Sequence, residues 1–216
     1  MINDLQAKVM DLVGFIQACV TGEPLVAGSW FEYENVDLDI NSVENHVLWL
    51  LPEVVPHIKK HVAADLKSIR DLFGGFFKLS PEVRSRLTRS MERFSLSQSR
   101  QKIVDQVLDL ALAFEIAVSG GRGDNAPPNW KVGTRTAQLI GGPLLDRQTT
   151  RSSLGALYRL RNIATHGGNF SDPEKREQKE ILASAYTIYR RLVESFIVLA
   201  SVPDWPSLEL EPRVKK

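Results

Sequence analysis

Residues 107–118 read VLDLALAFEIAV. At helical spacing these apolar side chains point in nearly every direction. Such a helix must be covered all round, as the central helix of a packed bundle is. We place it over residues 98–118. Glu115 lies within it. A carboxylate in those surroundings is costly unless paired, so Glu115 demands a cation from elsewhere in the fold.

Upstream, Ser80-Pro81 predicts a helix start, with proline at the first helical position. Val83, Leu87, Met91 and Phe94 form its apolar stripe, and Arg86, Arg89 and Arg93 line up on another side. That basic row reads as a solvated face, or as a row lying along an RNA backbone where each paired phosphate adds salt-dependent affinity. Before it, Val62, Leu66, Ile69 and Phe73 predict a helix that begins near 56 and stops at Gly74-Gly75. Asn41 with Glu44 predicts a helix from about 43 that ends near 51, before Pro52 and Pro56. In residues 22–41, Glu32, Glu34, Asp37 and Asp39 alternate with Phe31, Tyr33, Leu38 and Ile40. This reads as one or two short strands or as an extended acidic edge. Leu5, Val9, Leu12, Ile16 and Cys19 share one face of a first helix.

Downstream, SGGRGDNAPPNWKVG (119–133) breaks the helical pattern. Its Arg-Gly-Asp reads as chance rather than as an adhesion ligand. Its glycines make no phosphate loop, because no Gly-Lys-Ser/Thr follows. A short helix is expected over 134–140, ended by Gly141-Gly142. Another is expected over 147–165, capped by Asp146, and a last long one over 173–201 after Ser171-Asp172-Pro173. The final stretch, PDWPSLELEPRVKK (203–216), has no clear period and is expected to be loosely ordered. The fold class is therefore all-α, a helical bundle over 80–202 with an N-terminal helical extension over 1–79, a possible short β segment within it, and a tail over 203–216.

Composition limits the function classes. The chain has 216 residues, 43% of them hydrophobic and 25% charged, enough for one domain with a real core. A net charge of +1 gives no global field for nucleic acid, so any such site must be local. A single cysteine excludes an intrachain disulfide and any multi-cysteine metal site. No basic start precedes an apolar run, and no stretch approaches the roughly 18 apolar residues of a membrane span. We expect a cytoplasmic protein that does not engage a membrane. His57 and His61 stand four apart, but with no third ligand nearby they, like His46, read as ordinary surface or core histidines. No metal and no cofactor is expected.

The segment RLRNIATHGG (159–168) ends the 147–165 helix. Leu154, Leu157, Tyr158 and Arg161 share one face, while Ala156, Leu160 and Ile163 occupy roughly the opposite one. One side can be the domain's own core and the other a partner subunit. Arg161 on an apolar stripe needs a partner, either Glu115 or a phosphate. In a continuing helix His166 would lie about 140° round from Arg161, but Gly167-Gly168 marks an exit where the histidine can swing toward the arginine. Local physics also offers a simpler account, a histidine meeting the negative end of the helix dipole before a glycine cap.

R-N-x-x-x-H at a helix end resembles the signature of the HEPN superfamily (higher eukaryotes and prokaryotes nucleotide-binding domains): an arginine, a polar residue, then a histidine four to six residues after the arginine. The order around it is similar to a bacterial HEPN subgroup. DQVLDLALAFEIAVSG supplies an acidic helix ending in a glutamate, KVGTRTAQLIGG an arginine in a short helix, and LYRLRNIATHGG the Leu-Tyr-x-x-Arg segment that ends in His-Gly. The likeness covers about residues 80–200. It departs in the loop, where GGRGDNAPPNWKVG stands in place of the subgroup's Gly-Glu and Tyr-Arg segments.

The resemblance implies a metal-independent ribonuclease working as a homodimer, with the two motifs meeting across the interface. RNA would be cut by attack of its 2′-hydroxyl on the adjacent phosphate. His166 would act as general base or acid, since imidazole titrates near neutral pH. Arg161 would stabilise phosphoryl charge, and Asn162 would orient the histidine or bond the phosphate. Glu115 would orient Arg161 or hold the helix pair. Tyr158 and Arg135 occupy family positions without an assigned role. A bacterial defence or toxin setting, with an antitoxin or sensor partner, is the matching expectation. The alternative is a HEPN-fold scaffold that binds RNA or nucleotide without turnover.

Overall fold

The computed structural model describes residues 66–120, 124, 127–166 and 172–210, together with Phe15 and Ala18. Among these residues the regular structure is helical throughout: α1 (Leu66–Lys78), α2 (Pro81–Ser99), α3 (Ile103–Ala117), α4 (Pro128–Ile140), α5 (Leu144–Thr165), α6 (Asp172–Leu199) and α7 (Trp205–Leu210). The all-α class is thereby shown. The strand-like segment 22–41, the helices expected before residue 66, Cys19, His46, His57 and His61 lie outside the described residues.

The start of α2 follows its sequence signal. Ser80 is the N-cap, its hydroxyl accepts from the Val83 amide at 3.4 Å, and Pro81 occupies the first turn. Val83, Leu87, Met91 and Phe94 are all buried. The helix expected over 98–118 is shorter at its front. Residues 98–99 finish α2, Arg100 is extended (φ −67°, ψ 138°), and α3 begins at Ile103. What reverses the chain is polar. The Gln106 amide donates to the Arg100 carbonyl at 2.7 Å, and the Arg100 Nε reaches Asp109 Oδ2 at 2.8 Å.

α3 packs between α2 and α6, and short polar ties fix the register. The Ser90 hydroxyl donates to the Ala113 carbonyl at 2.7 Å and lies 2.5 Å from the Tyr189 hydroxyl. Phe94 stacks on the Tyr189 ring at 4.3 Å, and Phe114 meets the same ring edge-on at 5.3 Å. Such rings each contribute roughly 1.5–3 kcal/mol by burial. Each buried hydroxyl in this set is satisfied, so it sets alignment without the cost of a lone polar group. Phe15, Ala18, Phe76 and Leu79 belong to this same core, so apolar packing runs unbroken across residue 80.

Four more sequence expectations are corrected. Gly74-Gly75 does not stop a helix, because α1 continues to Lys78. The reason is packing rather than capping: a Cβ on Gly75 would lie 2.5 Å from Ile197 Cγ2, whereas one on Gly74 would meet nothing within 4 Å. Opposite outcomes are expected at these adjacent positions. Gly74→Ala raises stability by about 0.5–1 kcal/mol through helix propensity, while Gly75→Ala lowers it, because the branched Ile197 has no slack to move aside. Thermal melts of the two variants check this, and shifts of the same sign would refute it.

Two of the others concern helix starts, and the last concerns the tail. α4 starts at Pro128 rather than 134, with Pro127 at its N-cap. Proline read as a breaker is here a starter, since its fixed φ suits the first turn. α5 likewise begins at Leu144 behind Pro143, with Asp146 inside its first turn rather than capping it. The expected loose tail contains α7, whose Trp205 and Leu208 are buried. Six residues are too few to show a helical period. Contacts hold this helix: Trp205 lies edge-on to Phe196 at 6.2 Å, and the Arg135 guanidinium sits 5.0 Å from the Trp205 ring.

Candidate functional site

α3 and α5 pack side by side, and this brings three of the sequence-selected residues together. The Tyr158 hydroxyl donates to Glu115 Oε1 at 2.9 Å, and Arg161 Nη2 stands 3.8 Å from the same oxygen. Burial, reinforced by the Glu115 carboxylate, pushes the Tyr158 hydroxyl far up, so the phenol remains a donor at all ordinary pH values. The cation that Glu115 demanded is therefore Arg161. The pairing is loose. At 3.8 Å it lies beyond hydrogen-bond range, and the Arg161 side chain is 36% exposed. A guanidinium held this way keeps donors for a phosphate.

The remaining motif residues sit at the end of α5. His166 is the C-cap, exposed, with its backbone amide donating to the Asn162 and Ile163 carbonyls at 3.2 Å. Its imidazole makes no hydrogen bond to Arg161 or Asn162 within the chain. Asn162 is exposed and lines a groove of about 250 Å³ between α4 and α5 with Trp130, Arg151, Tyr158 and Arg159. Gly167 and Gly168 lie outside the described residues.

Leu154, Leu157 and Tyr158 are buried within the chain's own core at 0%, 0% and 5% exposure. Of the two sides that could have met a partner subunit, this one belongs to the chain's own core, where α5 packs on α3. On the opposite side Leu160 is buried too, and Ile163 is 42% exposed.

Arg86, Arg89 and Arg93 do not present one uniformly exposed basic face. Arg86 is buried and donates through Nη1 to the Ser119 carbonyl at 2.9 Å; burial pulls its pKa below the usual arginine value. Arg93 turns to Asp109 at 3.4 Å. Arg89 is exposed, and the Arg93 side chain keeps 43% exposure. Distant partners that no local spacing reveals, Ser119 and Asp109, engage the other two.

Arg135 acquires a role. It is 4% exposed, and it donates to the Val118 carbonyl at 2.9 Å, to Asp124 at 2.7 and 3.0 Å, and to Glu209 at 2.6 Å. The Arg135 guanidinium and backbone bonding hold the Asp124 carboxyl down to about 2. The Asp of the Arg-Gly-Asp triplet is thus an internal ion-pair partner, and Arg135 is a structural clamp between α3, the following loop and α7.

Among the described residues no three or more His, Cys, Asp or Glu side chains gather as a metal site, and no helix is long and apolar enough to cross a membrane. No protein-family model matches the chain, and neither curated proteins nor solved structures include a match to it.

Proposed function

We propose that the chain is a metal-independent endoribonuclease of the HEPN type, acting in a bacterial defence or toxin system. One observation carries the reading: Arg161, loosely held at Glu115 with donors to spare, is followed at the helix end by an exposed His166. In the reaction His166 takes the proton of a ribose 2′-hydroxyl, and the oxygen attacks the adjacent phosphorus. Arg161 stabilises the charge that gathers on the phosphoryl oxygens. The 5′-oxygen of the next nucleotide leaves with a proton, giving a 2′,3′-cyclic phosphate and a 5′-hydroxyl. The two motifs of a homodimer would share this work. Since the Leu154 face is already covered, a second copy would meet the exposed end of α5 around Asn162, Ile163 and His166.

A second reading has its own support. Within one chain the His166 imidazole is not bonded to Arg161, and Glu115 partly neutralises the arginine. The same residues then suit a protein that binds RNA or nucleotide without turnover.

The test is incubation of the purified chain with single-stranded RNA in EDTA, beside an all-2′-deoxy copy. Cleavage of the RNA alone, with cyclic-phosphate ends and a rate rising with the square of chain concentration while monomers dominate, is the expected result. Intact RNA at micromolar chain concentrations would remove the nuclease reading and leave the binding one.

A further inference from the structure

The groove between α4 and α5 carries features that the fold itself does not require. Trp130 is 37% exposed on its α4 wall. Arg151 and Arg159 are exposed on its α5 wall, and among the described residues neither has a hydrogen-bond or ion-pair partner. They stand eight positions apart, about 12 Å along a helix. The stem of Arg151 is seated: a Cβ on Gly133 of α4 would lie 3.3 Å from Arg151 Cγ, so the two helices meet closely there.

Gly155 lies between the two arginines and lines the groove. Glycine inside a helix costs about 1 kcal/mol against alanine. At Gly75 and Gly133 close packing explains the glycine. At Gly155 an added Cβ would meet nothing within 4 Å. No internal contact needs this glycine, and its missing side chain leaves the groove floor open.

We infer that this groove binds single-stranded RNA, with a base stacked on Trp130, phosphates on Arg151 and Arg159, and the strand crossing Gly155 toward Asn162. The pieces match that ligand. A flat aromatic beside unpaired cations is the standard equipment for an unpaired strand, because every base has a stacking face and every link a charge. The groove also supplies a local positive surface in a chain whose net charge is only +1. Asn162 joins it to the Arg161–His166 end, so a strand in the groove delivers a phosphodiester to the proposed cutting residues. The inference deepens the ribonuclease reading in that respect, but binding is measurable without cutting.

The experiment is equilibrium binding of a fluorescein-labelled, fully 2′-O-methylated RNA decamer, which has no free 2′-hydroxyl to attack, to the full chain over a range of salt. Trp130→Ala is expected to weaken binding about tenfold. Arg151→Ala and Arg159→Ala should each lower the slope of log affinity against log salt by about 0.7. Gly155→Leu should block binding while leaving the melting temperature at or above that of the wild type. Wild-type affinity in all four variants, no binding by the wild type, or equal binding of a polyglutamate peptide would each overturn the inference. Binding lost in the variants with no cleavage by the wild type would sustain the groove and overturn only the nuclease.

Discussion

Arg135→Ala is expected to lower stability by about 3–5 kcal/mol, the range for stripping one partner from a buried charge network. At roughly 2–4 °C per kcal/mol for a chain of this size, the melting temperature falls by about 10 °C. The magnitude follows from what remains. Asp124 and Glu209 keep their charges at side-chain exposures of 13% and 16%, with their shared cation gone and only Lys131, 3.3 Å from Asp124, left beside the pair. The Val118 carbonyl and the Trp205 ring also lose a neighbour. Arg135→Lys should recover only part of the loss, because a single ammonium cannot span two carboxylates and a carbonyl in three directions. The pH dependence separates this from simple loss of packing. In the wild type Asp124 is depressed to about 2 from 3.8, so its contribution is fully present above the unfolded value and disappears as pH falls through the folded one. That contribution is about 2 kcal/mol. Without Arg135 the largest cause of the depression goes, leaving the Gly120 amide and Lys131, and the gap between wild type and variant narrows from pH 5 to pH 2. A melting temperature within 2 °C of wild type at neutral pH, or a gap that stays constant in acid, would show that the clamp does not hold the fold.

The same residue shows where sequence reading stops. Resemblance alone singles out Arg135, as the arginine of a short helix with no assigned role, and Asp124 and Glu209 lie 11 and 74 positions away. Only the fold brings them within reach. Arg86 and Arg93 met the same limit: helical spacing puts them in one row, and nothing local shows that Ser119 and Asp109 engage them. Gly74-Gly75 reads as a stop because a glycine's reason is invisible locally, and here it is the approach of Ile197 from α6. The apolar stripe of α2, the Ser80 cap and the central helix were legible because each rests on period or on contacts within one turn. Glu115 and Arg161 form the informative exception. Their partnership was legible across 46 positions because each was a charge on a stripe that had to be buried, and such charges must find each other or water. The Trp130–Arg151–Arg159 groove was not legible, although RSSLGALYR (151–159) carried a signal for it: two arginines bracketing a glycine in mid-helix.

His166→Ala is expected to reduce RNA cleavage by about 10²–10⁴-fold, the usual contribution of a positioned general acid or base. The position makes this a clean measurement. The imidazole is exposed, and the C-cap bonds to the Asn162 and Ile163 carbonyls come from the backbone amide, which alanine keeps. Stability should therefore move by no more than about 0.5 kcal/mol, and an activity loss cannot be ascribed to unfolding. Arg161→Ala should lose about 10²–10³-fold, as removal of a charge-stabilising donor does. It also leaves Glu115 with Tyr158 alone, so a small loss of stability accompanies it. The conservative control is Glu115→Gln. It keeps the shape and an acceptor for the Tyr158 hydroxyl but releases Arg161 from its counter-charge. If Glu115 only positions Arg161, cleavage falls far less than in the His166 and Arg161 variants, and affinity for the uncleavable RNA rises with the added net positive charge. If the wild type cuts RNA and His166→Ala cuts it equally fast, histidine at this helix end is a cap and nothing more, and the chemistry assigned to it fails even if the chain cuts RNA by other residues.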